Sequence, residues 1–222
     1  YLRIEEEGMD GEAWEKLWKE AKAAQRQKGY QQAYRSMEAA VKETEGEMLF
    51  YQSKVCEGVF HRISSGVTRD GLEVFGKMEK GYLLSVDSNW DMYGDGYLSG
   101  HYFSEEALRE QLEKAYPGLV FTQEPLEKQI NMHKRDKVGH ILSLTVGNKT
   151  ISGEEFRQLL ELPSSNFTMQ ATDRKIRFLC KGQGHGLGLS QYGGNVLARE
   201  GKSYQEILRY YFPECEVKTK KS

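Results

Sequence analysis

Two short stretches of the chain hold side chains that can do chemistry. The first reads Gly182-Gln183-Gly184-His185-Gly186-Leu187-Gly188-Leu189-Ser190-Gln191-Tyr192-Gly193. It gathers an imidazole, a hydroxyl, an amide and a phenol behind a run of alternating glycines, which let backbone pass close to bulky groups. The second reads His61-Arg62-Ile63-Ser64-Ser65-Gly66-Val67-Thr68. Donors and acceptors of this kind suit a hydroxylated ligand such as a sugar. A serine nucleophile with a histidine base is the other chemistry on offer, but the chain has neither G-x-S-x-G nor a clear orienting aspartate. A dinucleotide fingerprint is excluded, because a third glycine is needed at 187 or 189 and both are leucine. Gly201-Lys202-Ser203 is no phosphate loop, because Val196 stands where a glycine is required. The candidate substrate-binding residues are therefore His61, Ser64, Ser65, Thr68, His185, Ser190, Gln191 and Tyr192. Each histidine has an alternative role in satisfying loop backbone. Tyr192 serves equally well as a core aromatic.

Composition narrows the field. The net charge of −2 and the pI of about 6.3 argue against a nucleic-acid binder. The three cysteines, Cys56, Cys180 and Cys215, include no C-x-x-C and leave one unpaired, so neither a disulfide framework nor a structural zinc site is expected. His61, His185 and Cys180 show no local ligand spacing, so no metal or cofactor is expected. No apolar run approaches the roughly 18 residues of a membrane span.

The elements around these stretches follow from periodicity. Gly11 to Lys28 and Tyr30 to Thr44 each place apolar residues on one helical face, with Asp10 as a cap, Gly29 between them and Gly46 at the end. Trp14, Leu17, Trp18, Ala21 and Ala24 form the first stripe; Tyr30, Tyr34, Met37, Val41 and Thr44 form the second. Both helices are expected to pack. Strands are expected over Met48 to Tyr51, Val55 to Ile63 and Tyr82 to Val86. Asn89 to Gly100 is expected to be a loop, with Trp90, Tyr93 and Tyr97 offering an aromatic platform. Ser104 caps a helix to about Tyr116. Gln129 to Lys134 and His140 to Val146 form a hairpin. Ser152 opens a capped helix carrying Phe156 and Leu159. Phe167 to Ala171 and Ile176 to Cys180 form a hairpin around Asp173-Arg174-Lys175, which leads into the glycine loop. Helices follow from about Ser190 to Glu200 and from Ser203, where Glu206 completes a capping box. The fold class is α+β, mainly antiparallel sheet with flanking helices and an N-terminal helical pair. Residues 1–46 form the helical segment and 47–222 the α+β domain, with a smaller subdomain at about 101–175 as an alternative division.

The glycine-loop sequence resembles the G-x-G-H-G-V-G-M-S-Q-Y-G signature of the stage II sporulation protein D and amidase-enhancer (SpoIID/LytB) family. Ala198-Arg199-Glu200-Gly201-Lys202-Ser203-Tyr204-Gln205-Glu206-Ile207-Leu208 resembles its A-x-x-G-x-x-Y-x-E-I-L. Upstream, Ala40 to Gly46 resembles A-V-x-x-T-x-G, and Phe60 to Thr68 resembles F-H-x-x-S-G-G-x-T with Ser65 in place of a glycine. Gly153 to Arg157 resembles G-x-E-x-R. The resemblance covers about residues 38–217. It implies peptidoglycan work in sporulation. Members resemble lytic transglycosylases, which cut glycan strands with one carboxyl group serving as acid and then base. It also implies an extracytoplasmic location, and as partners glycan strands, a cell-wall amidase or other sporulation proteins. The family's E-M-P segment, which carries its catalytic glutamate, has no match here; Glu7-Gly8-Met9-Asp10 is a poor one. The expectation is a fragment holding the glycan groove without its acid. The alternative is a non-catalytic module that binds glycan or an amidase.

Overall fold

The computed structural model describes residues 11–172 and 175–219, with side chains of 11–18 and 21 excepted. The elements run α1 (Gly11–Glu43), β1 (Glu47–Tyr51), β2 (Lys54–Val55), β3 (Phe60–His61), α2 (Gly71–Phe75), β4 (Leu98–Ser104) and α3 (Glu105–Ala115). They continue with β5 (Ile130–Arg135), β6 (Ile141–Val146), β7 (Lys149–Ser152), α4 (Gly153–Leu159), β8 (Phe167–Thr172) and β9 (Lys175–Lys181). The chain closes with β10 (Leu189–Ser190), α5 (Gln191–Arg199), α6 (Tyr204–Tyr211) and β11 (Glu216–Thr219). The class is α+β with mainly antiparallel sheet, as expected. The chain divides into two compact units, Tyr1–Met48 with Thr219–Ser222, and Leu49–Lys218.

The expected helical pair is one helix. α1 passes through Gly29, whose cost of about 1 kcal/mol is outweighed by the good helix formers on both sides. The stripe of Tyr30, Tyr34, Met37 and Val41 is exposed rather than packed, at 62–75% of each residue's surface. Asp10 and the turn residues Asp173 and Arg174 lie outside the described residues, as do the side chains of Trp14, Leu17, Trp18 and Ala21.

The second unit has two apolar clusters. In the first, β4-β9-β8 and β5-β6-β7 form three-stranded antiparallel sheets. Their inner faces meet α3 and α4 around Phe156, Phe167 and Phe178, whose rings lie 5.4–5.7 Å apart. Alternation drives this: Ile176, Phe178 and Cys180 of β9 point inward at every second position. Ser104 and Ser152 cap α3 and α4 by accepting from Ala107 and Glu155 N–H, each at 3.1 Å. The second cluster joins Tyr82, Leu83, Leu187, Leu197, Ile207, Tyr211 and Phe212. Here α6 carries the expected capping box between Ser203 and Glu206.

Three strand expectations change. Val55 to Ile63 is not one strand: a turn in which Val59 N–H donates to Glu57 O at 3.0 Å separates β2 from β3, and the two join different sheets. β4 begins inside the expected loop, at Leu98 to Gly100, because Gly100 and the polar Ser99 and His101 hide a ladder that β9 supplies. Tyr82 to Val86 forms no strand. The Thr68 side chain takes a ladder partner's place there, accepting Val86 N–H at 2.8 Å, and only the bridge Val67 to Asp87 remains.

Candidate functional site

β9 leaves the first cluster at Cys180 and enters the glycine loop, which reaches the second cluster at Leu187. Gly182, Gly184, Gly186 and Gly188 all have φ between +68° and +104°, the left-handed region that side chains resist. This lets the loop lie against the His61 stretch. Gln183 O accepts from Arg62 N–H at 3.2 Å and Ile63 N–H at 3.1 Å, and Gln183 N–H donates to Ile63 O at 2.7 Å. A Cβ on Gly184 would stand 2.9 Å from His61 Cβ. β10 then pairs with β3 in parallel, Ser190 opposite His61. The two motifs found separately in the sequence are thus one structural unit.

Asp91 ties them together. It sits in a 3₁₀ turn, Asn89–Tyr93, and is fully buried. One carboxylate oxygen accepts Ser64 N–H at 2.7 Å; the other accepts the Ser190 hydroxyl at 2.9 Å. Ser190 Oγ in turn caps α5 by accepting Gly193 N–H at 3.3 Å. A second tie is the buried pair of Arg69 Nε and Asp136, at 2.5 Å. Arg69 also donates from Nη1 to His185 O at 3.0 Å and from its backbone N–H to Gly186 O at 2.8 Å.

The histidines form a close group. His61 Nδ1 faces Leu187 O at 3.0 Å; a carbonyl only accepts, so that nitrogen carries the proton. Its Nε2 is buried without a partner. Burial lowers its pKa to about 4, so the ring is neutral. His185 Nδ1 accepts Leu187 N–H at 3.1 Å, which leaves the proton on Nε2. The two rings meet edge to face at 5.9 Å. His185 is also held below its ordinary value, first by burial, against an upward pull from Glu154. The third member, His140, bonds Ser165 Oγ through Nδ1 at 2.9 Å, and its buried Nε2 has no partner. Burial and the Arg69 charge hold it well below the usual range. Among the described residues, no three His, Cys, Asp or Glu groups are placed to hold a metal ion.

Two separate clefts open on this frame. One, of about 460 Å³, is lined by Arg62, Ile63, Tyr93, Asp95, Gln191, Tyr192 and Asn195. The other, of about 330 Å³, includes Arg69, Phe75, Lys80, Glu154, His185 and Leu187. Glu154 Oε1 accepts from Arg157 at 2.7 and 2.9 Å, while its Oε2 is buried with no partner. Gln191 and Tyr192 therefore face the first cleft and His185 the second. His61, Ser64, Thr68 and Ser190 line neither: all four are buried. Ser64 Oγ accepts Gly66 N–H at 3.1 Å and Thr68 holds Leu84 and Val86 backbone. Ser65 Oγ is buried without a partner.

The sequence reading missed Arg62, Asp95 and Asn195 in the first cleft, and Asp91, Arg69, Asp136, His140 and Glu154 around both. Asn195 was findable, because it stands one helical turn after Gln191 on the same face. Tyr93 was noted as part of an aromatic platform; it is 82% exposed at the cleft. Trp90 instead packs edge-on against Tyr210, 5.9 Å away.

An α+β domain with a left-handed glycine loop feeding the cap of a helix, beside an open polar cleft, defines the class. No family model matches the chain. The stage II sporulation protein D of Bacillus amyloliquefaciens is 30% identical over 197 residues, covering 85% of this chain. That of Bacillus subtilis is 28% identical over 189 residues. The amidase enhancer of Bacillus subtilis is 42% identical over 50 residues, 22% of this chain. The chain is thus similar over most of its length to stage II sporulation D proteins, and over a short segment to an amidase enhancer. It spans about half the length of the stage II sporulation D proteins it matches, 52% of each.

Proposed function

We propose that this domain handles peptidoglycan glycan strands in sporulation, on the outer side of a bacterial membrane, and that the 460 Å³ cleft is where a strand lies. The observation that carries the reading is the convergence there of Gln191 and Tyr192, from the signature loop, with Arg62 from the second motif and an exposed Tyr93. The cleft is open and polar, as a polymer with many hydroxyls requires. The amides of Gln191 and Asn195 can donate to and accept from sugar hydroxyls in pairs. The faces of Tyr93 and Tyr192 suit the apolar face of a sugar ring. Arg62 offers fixed donors to an acetamido carbonyl or lactyl carboxylate. The family resemblance points to lytic transglycosylase chemistry on such strands. Asp95 is the carboxylate at this cleft. Among the described residues no helix is long and apolar enough to cross a membrane.

The test is a pull-down on purified, peptide-free glycan strands, with products checked by mass spectrometry for 1,6-anhydro-muramyl ends. The double variant Gln191→Ala, Tyr192→Ala should bind about 10–100-fold more weakly, the loss of roughly two well-made contacts. Unchanged binding in that variant rejects the cleft. Binding without anhydro ends assigns recognition, not cleavage, to this domain. The match to an amidase enhancer supports a second reading, in which the bound partner is a cell-wall amidase. Co-purification with such an enzyme in the absence of glycan would favour it.

A further inference from the structure

We infer that Cys56 and Cys215 are the two halves of a disulfide clasp that closes across the Leu49–Lys218 unit. Their sulfurs lie 3.6 Å apart, although 159 residues separate them in sequence. Both sit at the edge of the second apolar cluster. Cys56 follows β2, its N–H donating to Leu49 O at 2.9 Å; Cys215 follows α6, its N–H donating to Phe212 O at 3.0 Å. Phe212 is itself buried and Leu49 packs against the same cluster, so each cysteine hangs from backbone tied to the core. A bond of about 2.05 Å needs the sulfurs to close by about 1.5 Å, within reach of small side-chain rotations.

A route for the oxidant is present. Cys56 lines a cleft of about 260 Å³ with Tyr51, Gln52, Lys54, Val55, Met78 and Glu79. The co-reactant is a disulfide, either a small one or that of a thiol–disulfide oxidoreductase. The Cys56 thiolate attacks one sulfur of that disulfide, forming a mixed disulfide and releasing the first thiol. Cys215 gives up its proton and attacks Cys56 sulfur, releasing the second thiol. Two electrons leave the protein's sulfurs, and its two protons end on the released thiols. Burial raises both thiols, Cys215 to about 12, which suits a slow structural bond rather than a reactive thiol. Cys180 is an internal control: it is buried in the other cluster and free.

The clasp would fix the segment after α6 to the β1–β2 hairpin, and so hold the start of this unit to its end. The experiment incubates the purified, folded chain with glutathione disulfide, then unfolds it in acid and alkylates the remaining thiols. The expected result is a monomer lighter by roughly 2 Da that takes up one alkyl group, with peptide mapping placing the label on Cys180. Melting temperature should fall by about 5–15 °C when the bond is reduced. Cys56→Ser and Cys215→Ser should each abolish the mass loss and the melting shift; Cys180→Ser should keep both. Three alkylated thiols after oxidation, a stable glutathione adduct on Cys56, or a bond that includes Cys180 would each overturn the inference. Glycan binding is not part of the readout, so the clasp and the glycan-strand reading stand or fall separately.

Discussion

Asp91 makes a quantitative demand on the architecture. Its carboxylate bonds both motif stretches, Ser64 N–H at 2.7 Å and Ser190 O–H at 2.9 Å, and it is fully buried. Asp91→Ala removes two charge-assisted bonds, each worth about 1.5–3 kcal/mol, and leaves a backbone donor buried without a partner. The expected loss is about 3–5 kcal/mol, a large share of a typical domain's stability. Asp91→Asn should cost less, about 1–2 kcal/mol. Its carbonyl can still accept Ser64 N–H, and its NH₂ can donate to Ser190 Oγ once that hydroxyl rotates. Urea unfolding followed by tryptophan fluorescence gives the midpoint and slope for both variants. An unchanged slope with a lowered midpoint identifies a native-state effect. A cycle with Ser190→Ala should return a coupling of about 1–2 kcal/mol between the two side chains. If Asp91→Ala stays within 1 kcal/mol of the parent, or if Asn is as harmful as Ala, the carboxylate is not what joins the two stretches.

Three further outcomes follow from the same geometry. Buried neutral histidines make the fold sensitive to acid: the unfolded chain binds protons near pH 6.5 that folded His61 refuses until about pH 4. Stability should therefore be complete above about 6.5 and fall as pH drops toward 4, His61 alone contributing about 3 kcal/mol by then. His140, His185, Arg69, Arg135 and Asp136 share that environment, so His61→Asn should flatten the profile partly; urea midpoints at pH 7, 5.5 and 4.5 read this out, and a flat parent profile would contradict the burial. Gly188→Ala should destabilise by about 3 kcal/mol, because the residue sits at φ +68° and a Cβ would overlap the Val59 carbonyl; a melting temperature within 2 °C of the parent would be inconsistent with that fit. His185→Ala should leave glycan binding within about threefold while Gln191→Ala does not, because His185 faces the other cleft; equal losses would mean that one ligand occupies both clefts.

Where local chemistry decides an element, the sequence carries it. Ser104, Ser152 and Ser203 announce their helices because each oxygen caps an N–H three residues on, a rule with a short range. The hairpins of β5–β6 and β8–β9 are legible for the same reason, through turn residues between alternating apolar runs. Long-range partnerships are not. β4 lacks a strong strand pattern of its own and exists because β9 pairs along its whole length. Gly29 looks like a helix end, but only tertiary contacts or a left-handed cap would make it one, and α1 has neither there. The candidate site divides along the same line. The glycine alternation gives away the loop, whereas Asp91, Asp136 and His140 read as an ordinary loop acid, a hairpin-turn residue and the first residue of a strand. Nothing local says that Asp91 sits under two motifs or that Asp136 meets an arginine 67 positions away.

The alternation has a further consequence. With every second residue left-handed, the loop can send its side chains to different places within a few ångströms. Gln183 reaches back to Asp95 O at 3.1 Å, beside the polar cleft, while His185 and Leu187 turn to the second one. The backbone between them is held at 2.7–3.2 Å to Ile63, Arg62 and Arg69. A loop so tied has little freedom to adjust in one cleft without moving the other, since packed and hydrogen-bonded backbone shifts as a unit. The buried hydroxyls of Ser64, Thr68 and Ser190 then make sense without touching any ligand. They hold the frame on which Gln191 and Tyr192 are aimed, and a family signature can retain a serine for the bond it makes to its own backbone.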